Sequence, residues 1–526
     1  MSSLPVAVVL PELLAALQDA PQVLLNAPTG AGKSTWLPLH ILNAGIISGK
    51  IILLEPRRLA ARNVAQRLAE LLNEKPGETV GYRMRAETCV GPSTRLEVVT
   101  EGILTRMLQN DPELSGIGLV ILDEFHERSL QADLALALLL DVQQGLRDDL
   151  RLLIMSATLD NERLQQTLPD APVITSEGRA FPVERRYQPL PAHQRFDEAV
   201  AIATADLLRQ ESGSLLLFLP GVGEIQRVQE QLAARVGSDV ILCPLYGALS
   251  LSDQRKAILP APTGQRKVVL ATNIAETSLT IEGIRLVVDS AQERVASFDP
   301  RTGLTKLLTQ RISQASMVQR AGRAGRLEPG ICLHLISAKQ AERAAVQSTP
   351  EILQSDLSGL IMELLQWGCP DPAQLTWLNA PPAVNLAAAR ALLTQLGALD
   401  GERLSSRGQK MAALGNDPRL AAMLVAAQGD DEIATAAKLA AILEEPPRGA
   451  NCDLAQAFSR NQGNWQQRAQ QLCKRLNSRG GTPDADSIAP LLAQAFADRI
   501  ARRRGLDGRY QLANGMGAML DSDDAL

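Results

Sequence analysis

A short loop at residues 27–35 carries the residue types that bind phosphate. Its sequence is Ala-Pro-Thr-Gly-Ala-Gly-Lys-Ser-Thr, and it lies between the apolar residues 23–25 and a predicted helix start at 36–38. The glycines let the backbone approach closely, the loop N–H groups face anionic oxygens, the lysine reaches the β- and γ-phosphates, and the serine can ligate Mg²⁺. A bare glycine-rich turn is the alternative, but the Gly-Lys-Ser order argues against it. We therefore predict that a nucleoside triphosphate binds at Thr29, Gly30, Ala31, Gly32, Lys33, Ser34 and Thr35.

Two adjacent carboxylates, Asp123 and Glu124, directly follow the apolar residues 119–122. This places them at the carboxyl end of a buried strand, where open α/β sheets bind ligands. Asp123, together with Ser34, would hold Mg²⁺, and Glu124 would activate a water molecule. Acidic residues also end many strands as turn formers, but an adjacent pair combined with a phosphate loop favours hydrolysis. His126 is a further catalytic candidate, although a lone histidine in such a loop is more often an ordinary hydrogen-bonding residue.

The octapeptide Gln-Arg-Ala-Gly-Arg-Ala-Gly-Arg forms a second polar constellation. Its Gln319, Arg323 and Arg326 are spaced i, i+4 and i+7, which predicts one face of a single helix. Gly322 and Gly325 each cost a helix about 1 kcal/mol, so we expect close packing against them; a solvated basic face would not need them. If a nucleotide lies between two domains, the two arginines contact developing phosphoryl charge and Gln319 positions the attacking water.

Apolar runs of strand length recur in two sets, separated by amphipathic stretches. This alternation predicts parallel sheets, and therefore an α/β fold with two tandem domains that meet near residue 178. A turn sequence, Asp-Pro-Arg-Thr-Gly at 299–303, predicts a β-hairpin between the extended residues 293–298 and 304–309. The predicted strands are at 23–25, 51–54, 96–99, 119–122 and 152–155 in the first set, and at 215–219, 240–242, 268–270, 286–288 and 331–335 in the second.

The strand pattern fades after about residue 348, and Leu- and Ala-rich helical patterns continue to about residue 503. Predicted helices at 352–367 and 385–396, followed by a small strand-turn-strand at 397–404, favour a winged-helix module. Later helices would form a bundle. The last predicted strands, 507–512 and 516–520, resemble the beginning of a β domain with too few residues to close, so we expect the chain to be a fragment of a longer protein.

The composition is typical of a globular protein with several domains. Its net charge of −5, from 53 basic and 58 acidic residues, gives no support to nucleic-acid binding by the whole surface, so such a site would be a local basic lining. Six scattered cysteines predict neither a disulfide framework nor a thiolate metal site. No stretch reaches the roughly 20 apolar residues of a membrane span. We expect a cytoplasmic protein without a membrane partner.

Taken together, these motifs resemble those of superfamily 2 helicases, and specifically the DEAH-box ATP-dependent RNA helicases of the bacterial HrpB type. The match covers nearly the whole chain, and Phe125 in place of the alanine of the DEAH box leaves both carboxylates in place. The similar segments, in family order, are 30–35 (motif I), 55–61 (Ia), 100–104 (Ib), 123–126 (II), 156–158 (III), 217–221 (IV), 271–280 (V) and 319–326 (VI).

The resemblance implies two RecA-like domains, with ATP and Mg²⁺ bound in the first, a hairpin in the second, and mostly helical accessory domains. It also implies 3′-to-5′ movement along single-stranded RNA. The expected boundaries are 1–177 and 178–348 for the RecA-like domains, 349–406 for a winged helix, 407–503 for a ratchet-like bundle, and 504–526 for the start of an oligonucleotide-binding domain.

The same resemblance implies a nucleic-acid path across both α/β domains. Contacts to phosphate and sugar would make binding tolerant of sequence and sensitive to salt. Arg67 would stack on the adenine. An exposed helix start is the alternative for the paired arginines at 57–58. The implied nucleic-acid residues are Arg57, Arg58, Thr100, Gly102, Gly221, Asn273 and Thr277.

Two other functions remain open from the sequence. An RNA-stimulated ATPase could remodel or clamp ribonucleoprotein without separating strands. A P-loop protein could use nucleotide binding only to recruit partners through its helical region. RNA against DNA preference, protein partners and oligomeric state are not predicted.

Overall fold

The computed structural model describes residues 4–85, 87–157, 162–178, 180–247, 249–277, 279–415, 417–447, 452–460, 462–521, 524 and 526. The chain divides into two compact units. The first comprises Met1–Ser297, Lys306–Gln354 and Thr376–Asn379, and the second comprises Phe298–Thr305, Ser355–Leu375 and Ala380–Leu526.

The first unit begins with an eight-stranded sheet in the order β4-β3-β5-β2-β6-β7-β1-β8, parallel except for the β3–β4 pair. Its strands are β1 (Gln22–Asn26), β2 (Lys50–Glu55), β3 (Val80–Met84), β4 (Glu87–Cys89), β5 (Leu96–Thr100), β6 (Ile117–Leu122), β7 (Arg151–Ser156) and β8 (Val173–Thr175). Its helices are α1 (Val6–Asp19), α2 (Leu37–Asn43), α3 (Arg58–Leu71), α4 (Glu101–Asn110), α5 (Leu130–Gly145) and α6 (Glu162–Thr167).

Helices cover this sheet, which explains why its central strands are continuous apolar runs. All six residues of β6 are buried. Leu13 of α1, Ile41 of α2 and Leu68 of α3 pack in one core with Leu25 and Leu53 of the sheet. The sheet therefore presents its polar side chains where the strands end.

A second, six-stranded parallel sheet has the order β11-β12-β10-β13-β16-β9. Its elements are β9 (Val183–Tyr187), α7 (Phe196–Gln210), β10 (Ser214–Phe218), α8 (Val222–Ala233), β11 (Val240–Leu245), α9 (Leu251–Ile258), β12 (Arg266–Ala271) and β13 (Ile284–Asp289). The hairpin strands β14 (Gln292–Asp299) and β15 (Leu304–Arg311) follow, then α10 (Gln314–Gly322), β16 (Gly330–His334) and α11 (Ala338–Glu342).

Alternate residues of β10 show that both faces of this sheet are covered. Leu215 and Leu217 pack in one core with residues of α7 and α8, whereas Leu216 and Phe218 pack in another with Ala257 of α9 and Ala321 of α10. The predicted α/β class is confirmed, and every strand predicted in the two sets lies on a strand of these sheets. The predicted hairpin is also confirmed.

The second unit is mainly helical. Its elements are α12 (Ser358–Trp367), α13 (Ala383–Gln395), β17 (Leu399–Asp400), β18 (Arg403–Leu404), α14 (Ser406–Leu414), α15 (Pro418–Ala426), α16 (Gly429–Glu444), α17 (Leu454–Phe458), α18 (Gly463–Arg475), α19 (Ile488–Phe496), β19 (Ala501–Arg504), β20 (Arg509–Leu512) and β21 (Gly517–Met519). The strands β17 and β18 pair antiparallel, as do β19 with β20 and β20 with β21. Two predicted boundaries differ from this structure. The helix predicted at 352–367 is a 3₁₀ turn, Glu351–Leu353, followed by α12, and the predicted helical region ends before β19.

Ion pairs between helices order this second unit. Arg419 of α15 donates to both carboxylate oxygens of Asp498, at 2.7 and 2.9 Å. Arg468 of α18 pairs with Glu444 of α16, with its Nε 2.9 Å from Oε2. Bidentate pairs of this kind fix the relative orientation of the helices that carry them.

Candidate active site and nucleic-acid path

The phosphate loop follows β1 as a succession of turns, and α2 begins only at Leu37. Gly30 and Gly32 have φ values of +87° and +92°, in the left-handed region that favours glycine. A Cβ atom on Gly32 would also lie 2.9 Å from Leu4 Cδ1. Both glycines are therefore required by the backbone. Thr29, Ala31 and Thr35 lie in the same turns.

Lys33 and Ser34 contact the two carboxylates predicted from the sequence. Lys33 Nζ lies 3.3 Å from Glu124 Oε1, and both side chains are 3% exposed. The Ser34 hydroxyl donates to Asp123 Oδ2 at 2.6 Å. Burial raises the pKa of Glu124, but positive charges, led by that of Lys33, outweigh this effect and leave the pKa below its ordinary value. The buried site therefore keeps Glu124 ionised.

Glu55 is a third carboxyl group at this position, and no catalytic role was predicted for it from the sequence. It ends β2, the neighbour of β6, and is 1% exposed. Burial raises its pKa well above the ordinary value, and the charge of Asp123 raises it further. Both effects favour the protonated form of Glu55 beside the Asp123 carboxylate. The strand order that brings the two together is not visible in the sequence.

A 3₁₀ turn at Phe125–Glu127 carries His126 and is flanked by Glu124 and Arg128, both left-handed, with φ of 52° and 48°. The backbone N–H of Ala157 donates to His126 Nδ1 at 3.1 Å. The imidazole proton therefore lies on Nε2, which is 3.3 Å from Glu124 Oε2. His126 links the predicted base to the end of β7. Ser156 ends β7 and is buried, while Thr158 lies outside the described residues.

The predicted single helix through residues 319–326 is wrong. The α-helix ends at Gly322, and a 3₁₀ turn, Arg323–Gly325, follows it. Poor helix propensity at both glycines explains the change. The expected close packing holds at Gly325, where a Cβ would lie 2.5 Å from Phe181 O, but not at Gly322, where a Cβ would meet nothing within 4 Å.

The two arginines nevertheless face the phosphate loop. A Cβ on Gly30 would lie 3.8 Å from Arg326 Nε. Burial lowers the pKa of Arg326 to about 10, against the opposing attraction of Glu124. Burial also lowers the pKa of Arg323, and the neighbouring Arg326 lowers it further. Within the described residues, both Nη atoms of Arg326, Nη2 of Arg323 and Oε1 of Gln319 are buried without a hydrogen-bond partner. The three unpaired guanidinium nitrogens are donors that suit an anionic ligand, whereas the Gln319 oxygen is an acceptor.

Glu276 holds the turn of Arg323 and Arg326 in place, and no role was predicted for it from the sequence. Its backbone oxygen accepts from Arg323 Nε at 2.9 Å, and Leu279 O accepts from Arg323 Nη1 at 2.5 Å. The Glu276 carboxylate binds Arg320 Nε at 3.1 Å, and Arg320 also pairs with Asp289 at 2.9 Å. Arg320 is therefore a buried support rather than a ligand-facing residue.

The predicted nucleic-acid residues lie at or just beyond the carboxyl ends of two pairs of adjacent strands, β2 with β5 and β10 with β12. Arg57 Nη1 donates to Asn273 O at 3.3 Å, and Arg57 Nη2 lies 3.4 Å from Glu127 Oε2. The Thr277 hydroxyl donates to Glu127 Oε1. The structure therefore brings Arg57, Asn273 and Thr277 together.

The other predicted nucleic-acid residues have fewer described contacts. Arg58 is the first residue of α3, Thr100 is the N-cap of α4, and a Cβ on Gly102 would meet nothing within 4 Å. Gly221 caps α8, and a Cβ there would lie 2.5 Å from Arg294 Nη1. Ser278 lies outside the described residues.

Arg67, predicted to stack on adenine, lies on α3 with its side chain 60% exposed and 3.5 Å from Glu70. Its role stays a prediction. Among the described residues, no helix is long and apolar enough to cross a membrane.

Comparisons with known proteins agree with this arrangement. The family model "DEAD/DEAH box helicase" matches residues 9–167, and "Helicase conserved C-terminal domain" matches residues 198–328. The chain is 83% identical over all 526 residues to the ATP-dependent RNA helicase HrpB of Escherichia coli (strain K12), of which it spans 65%.

Two solved structures are similar over the whole chain, each at 83% identity. One is the Escherichia coli DEAH/RHA helicase HrpB, with a TM-score of 0.97 and 67% of that chain covered. The other is the E. coli DExH-box NTPase HrpB, with a TM-score of 0.92 and 65% covered. The chain therefore belongs to the DEAD/DEAH box helicase family, in which it is similar to HrpB helicases.

Proposed function

We propose that this chain is an ATP-dependent RNA helicase, in which hydrolysis between the two sheets drives movement along single-stranded RNA. One observation carries the proposal. Arg323 and Arg326 lie at the turn before β16, a strand of the second sheet. Their unpaired guanidinium nitrogens nevertheless face the phosphate loop and Glu124, which belong to the first sheet domain. A nucleotide in the loop would give these buried donors their acceptors.

The residues around the loop fit a magnesium ion, since the Ser34 hydroxyl and the Asp123 carboxylate are both oxygen ligands. When bound, Mg²⁺ neutralises phosphate charge. Lys33 would leave Glu124 Oε1 and contact the phosphates, so that the Glu124 carboxylate is free to accept a proton from water. Gln319 would orient that water, while Arg323 and Arg326 stabilise the charge that develops in the transition state.

RNA would bind along the path that includes Arg57, Asn273 and Thr277, chiefly through phosphates. The HrpB relative is named an ATP-dependent RNA helicase, which supports RNA as the partner. The six cysteines are all free thiols, which fits the proposed cytoplasmic location. The winged-helix, ratchet-like and oligonucleotide-binding assignments at 349–406, 407–503 and 504–526 stay proposals.

The test is ATP turnover measured with single-stranded RNA and single-stranded DNA over increasing salt. We expect stimulation by RNA that weakens as salt rises, because bound phosphates release counterions. Displacement of the short strand from a 3′-tailed RNA duplex then separates a helicase from an ATPase that only remodels or clamps RNA. No stimulation by either nucleic acid would instead support a P-loop protein that recruits partners.

A further inference from the structure

Glu127 makes contacts that neither the sequence motifs nor the hydrolysis mechanism explain. Its two carboxylate oxygens bind residues from both sheets: Oε1 accepts the hydroxyl proton of Thr277, and Oε2 pairs with Arg57. The side chains of Arg57 and Glu127 are 26% and 18% exposed. The contact is therefore partly open to solvent, where another anion can reach it.

The groups that hold Glu127 are those that commonly hold a nucleic-acid phosphate. A guanidinium and a hydroxyl converge on one anion, and both belong to residues of the proposed RNA path. A phosphate oxygen and the Glu127 carboxylate cannot both occupy this position. Glu351 and Glu127 both lie close enough to Glu101 that their charges raise its pKa. Repulsion from the ionised fraction of Glu101 makes Glu127 easier to displace.

Glu127 is also coupled directly to the hydrolytic residues. It ends the 3₁₀ turn that starts after Glu124, and its N–H donates to Glu124 O at 3.0 Å. Left-handed backbone at Glu124 and Arg128, on either side of the turn, costs roughly 1–2 kcal/mol per residue. A shift of the Glu127 side chain is therefore transmitted over three residues to the base and to His126.

We propose that Glu127 is a positioning residue that occupies a phosphate position of the RNA path in the free protein, and that its displacement by an RNA phosphate couples RNA binding to hydrolysis at Glu124. This inference rests on the proposed function. The Glu127 carboxylate would restrain hydrolysis in the free enzyme, and RNA would remove this restraint by displacing the carboxylate.

The test is the Glu127→Gln variant of the full chain. Its amide can still accept from Thr277 but no longer attracts Arg57. We expect a labelled single-stranded RNA to bind about tenfold tighter, because a hydrogen bond between charged groups is worth roughly a decade of affinity. The rate of ATP turnover without RNA should rise, and the ratio of the rate with RNA to the rate without RNA should fall.

Glu351→Gln is the matched control. Glu351 accepts from the Leu130 N–H at 3.0 Å, a bond that glutamine can keep. This variant removes a negative charge from the same region but leaves the contacts to Arg57 and Thr277 intact. If both variants change RNA affinity and turnover equally, general charge explains the effect and the inference is wrong. Weaker RNA binding by Glu127→Gln would also overturn it.

Hydrogen exchange in the wild-type chain keeps the inference testable if Glu127→Gln does not fold. RNA should speed exchange of the amides at Glu127 and Arg128, whose hydrogen bonds close the turn. If RNA stimulates the ATPase but exchange at these amides is unchanged or slower, the role of Glu127 is rejected and the proposed function is not. A chain whose ATPase does not respond to RNA rejects the proposed function together with this inference.

Discussion

Glu124 combines three properties of a general base: it is buried, ionised, and held in a left-handed backbone conformation that non-glycine residues seldom adopt. Its Oε1 faces Lys33, and within the described residues its Oε2 accepts no hydrogen bond. Once a nucleotide engages Lys33, Oε1 is released as well, and the carboxylate is available to a water molecule.

Replacing Glu124 with Gln should preserve ATP binding and nearly abolish turnover. The amide keeps the size of the side chain but cannot accept the proton, and general-base catalysis contributes about 10²- to 10⁴-fold. Equilibrium binding of a fluorescent ATP analogue and steady-state phosphate release measure the two effects separately. Turnover at the wild-type rate would show that another group accepts the proton.

At the residue scale, the sequence identified the groups that bind phosphate and metal but not their neighbours. Lys33, Ser34, Asp123 and Glu124 could be predicted because each follows a strand within one short motif. Glu55 could not, since its place beside Asp123 depends on β2 lying next to β6. Such adjacency between distant segments is set by tertiary packing and has no local signal.

The turn after α10 depends on two glycines that the structure distinguishes. Gly325 is wedged against the backbone oxygen of Phe181, 2.5 Å from where a Cβ would be, and its own carbonyl accepts from the Phe181 N–H at 2.8 Å. Gly322 has helical φ and ψ of −58° and −20° and open space around it.

Gly325→Ala should therefore destabilise the chain by about 1–3 kcal/mol and lower ATP turnover, because the backbone that carries Arg323 and Arg326 must move. Gly322→Ala is the matched control and should stabilise by up to about 1 kcal/mol through helix propensity. Urea unfolding and ATPase rates of the two variants provide the comparison. Equal effects would mean that the turn tolerates a side chain at either position.

The first residue of α4, Glu101, should make stability depend on pH. Burial raises its pKa to about 7, opposed by the Ser129 hydroxyl and reinforced by Glu351 and Glu127. A raised folded-state pKa means that the folded chain binds the proton more tightly. The contribution of this proton to the free energy of unfolding is complete below about pH 4.5 and is lost as the pH rises towards 7.

Glu101→Gln mimics the protonated form at every pH. The difference in the free energy of unfolding between the variant and the wild type should therefore increase in favour of the variant, by up to about 3 kcal/mol, between about pH 4.5 and 7. Urea unfolding midpoints of both proteins, measured at several pH values, test this. A difference between the proteins that does not change with pH would place the carboxyl pKa near its ordinary value.

At the element scale, long buried strands were predictable because parallel sheets covered on both faces require continuous apolar runs. The strands β3, β4, β8 and β9 have no such run and were missed; in β9, for example, no residue is fully buried. The spacing of residues 319–326 suggested a single helix, but poor helix propensity at Gly322 and Gly325, together with packing of Gly325 against Phe181, ends it early.

At the scale of the whole molecule, the proposed reaction needs both sheets of the first unit. The first supplies the phosphate loop and carboxylates, and the second supplies Arg323 and Arg326. The tandem α/β pattern predicted two sheets, and the octapeptide predicted arginines that reach a nucleotide between them, but the approach of Arg326 to Gly30 depends on how the two sheets pack. That arrangement makes hydrolysis depend on how close the two sheets are, which is how chemical energy can become movement.

Arg326→Ala should lower the rate of ATP hydrolysis by about 10²- to 10³-fold, the usual loss when one donor to the transition state is removed. ADP binding should change little, because Arg326 acts on charge that develops at the γ-phosphate. Arg326→Lys keeps the charge but not the planar set of donors, so it should recover only part of the rate. Arg227→Ala, which removes a half-exposed arginine from α8 of the same sheet domain, is the control. Equal loss of ADP affinity and rate in Arg326→Ala would mean that Arg326 holds the nucleotide in its ground state, and the second sheet would then bind the nucleotide without accelerating its cleavage.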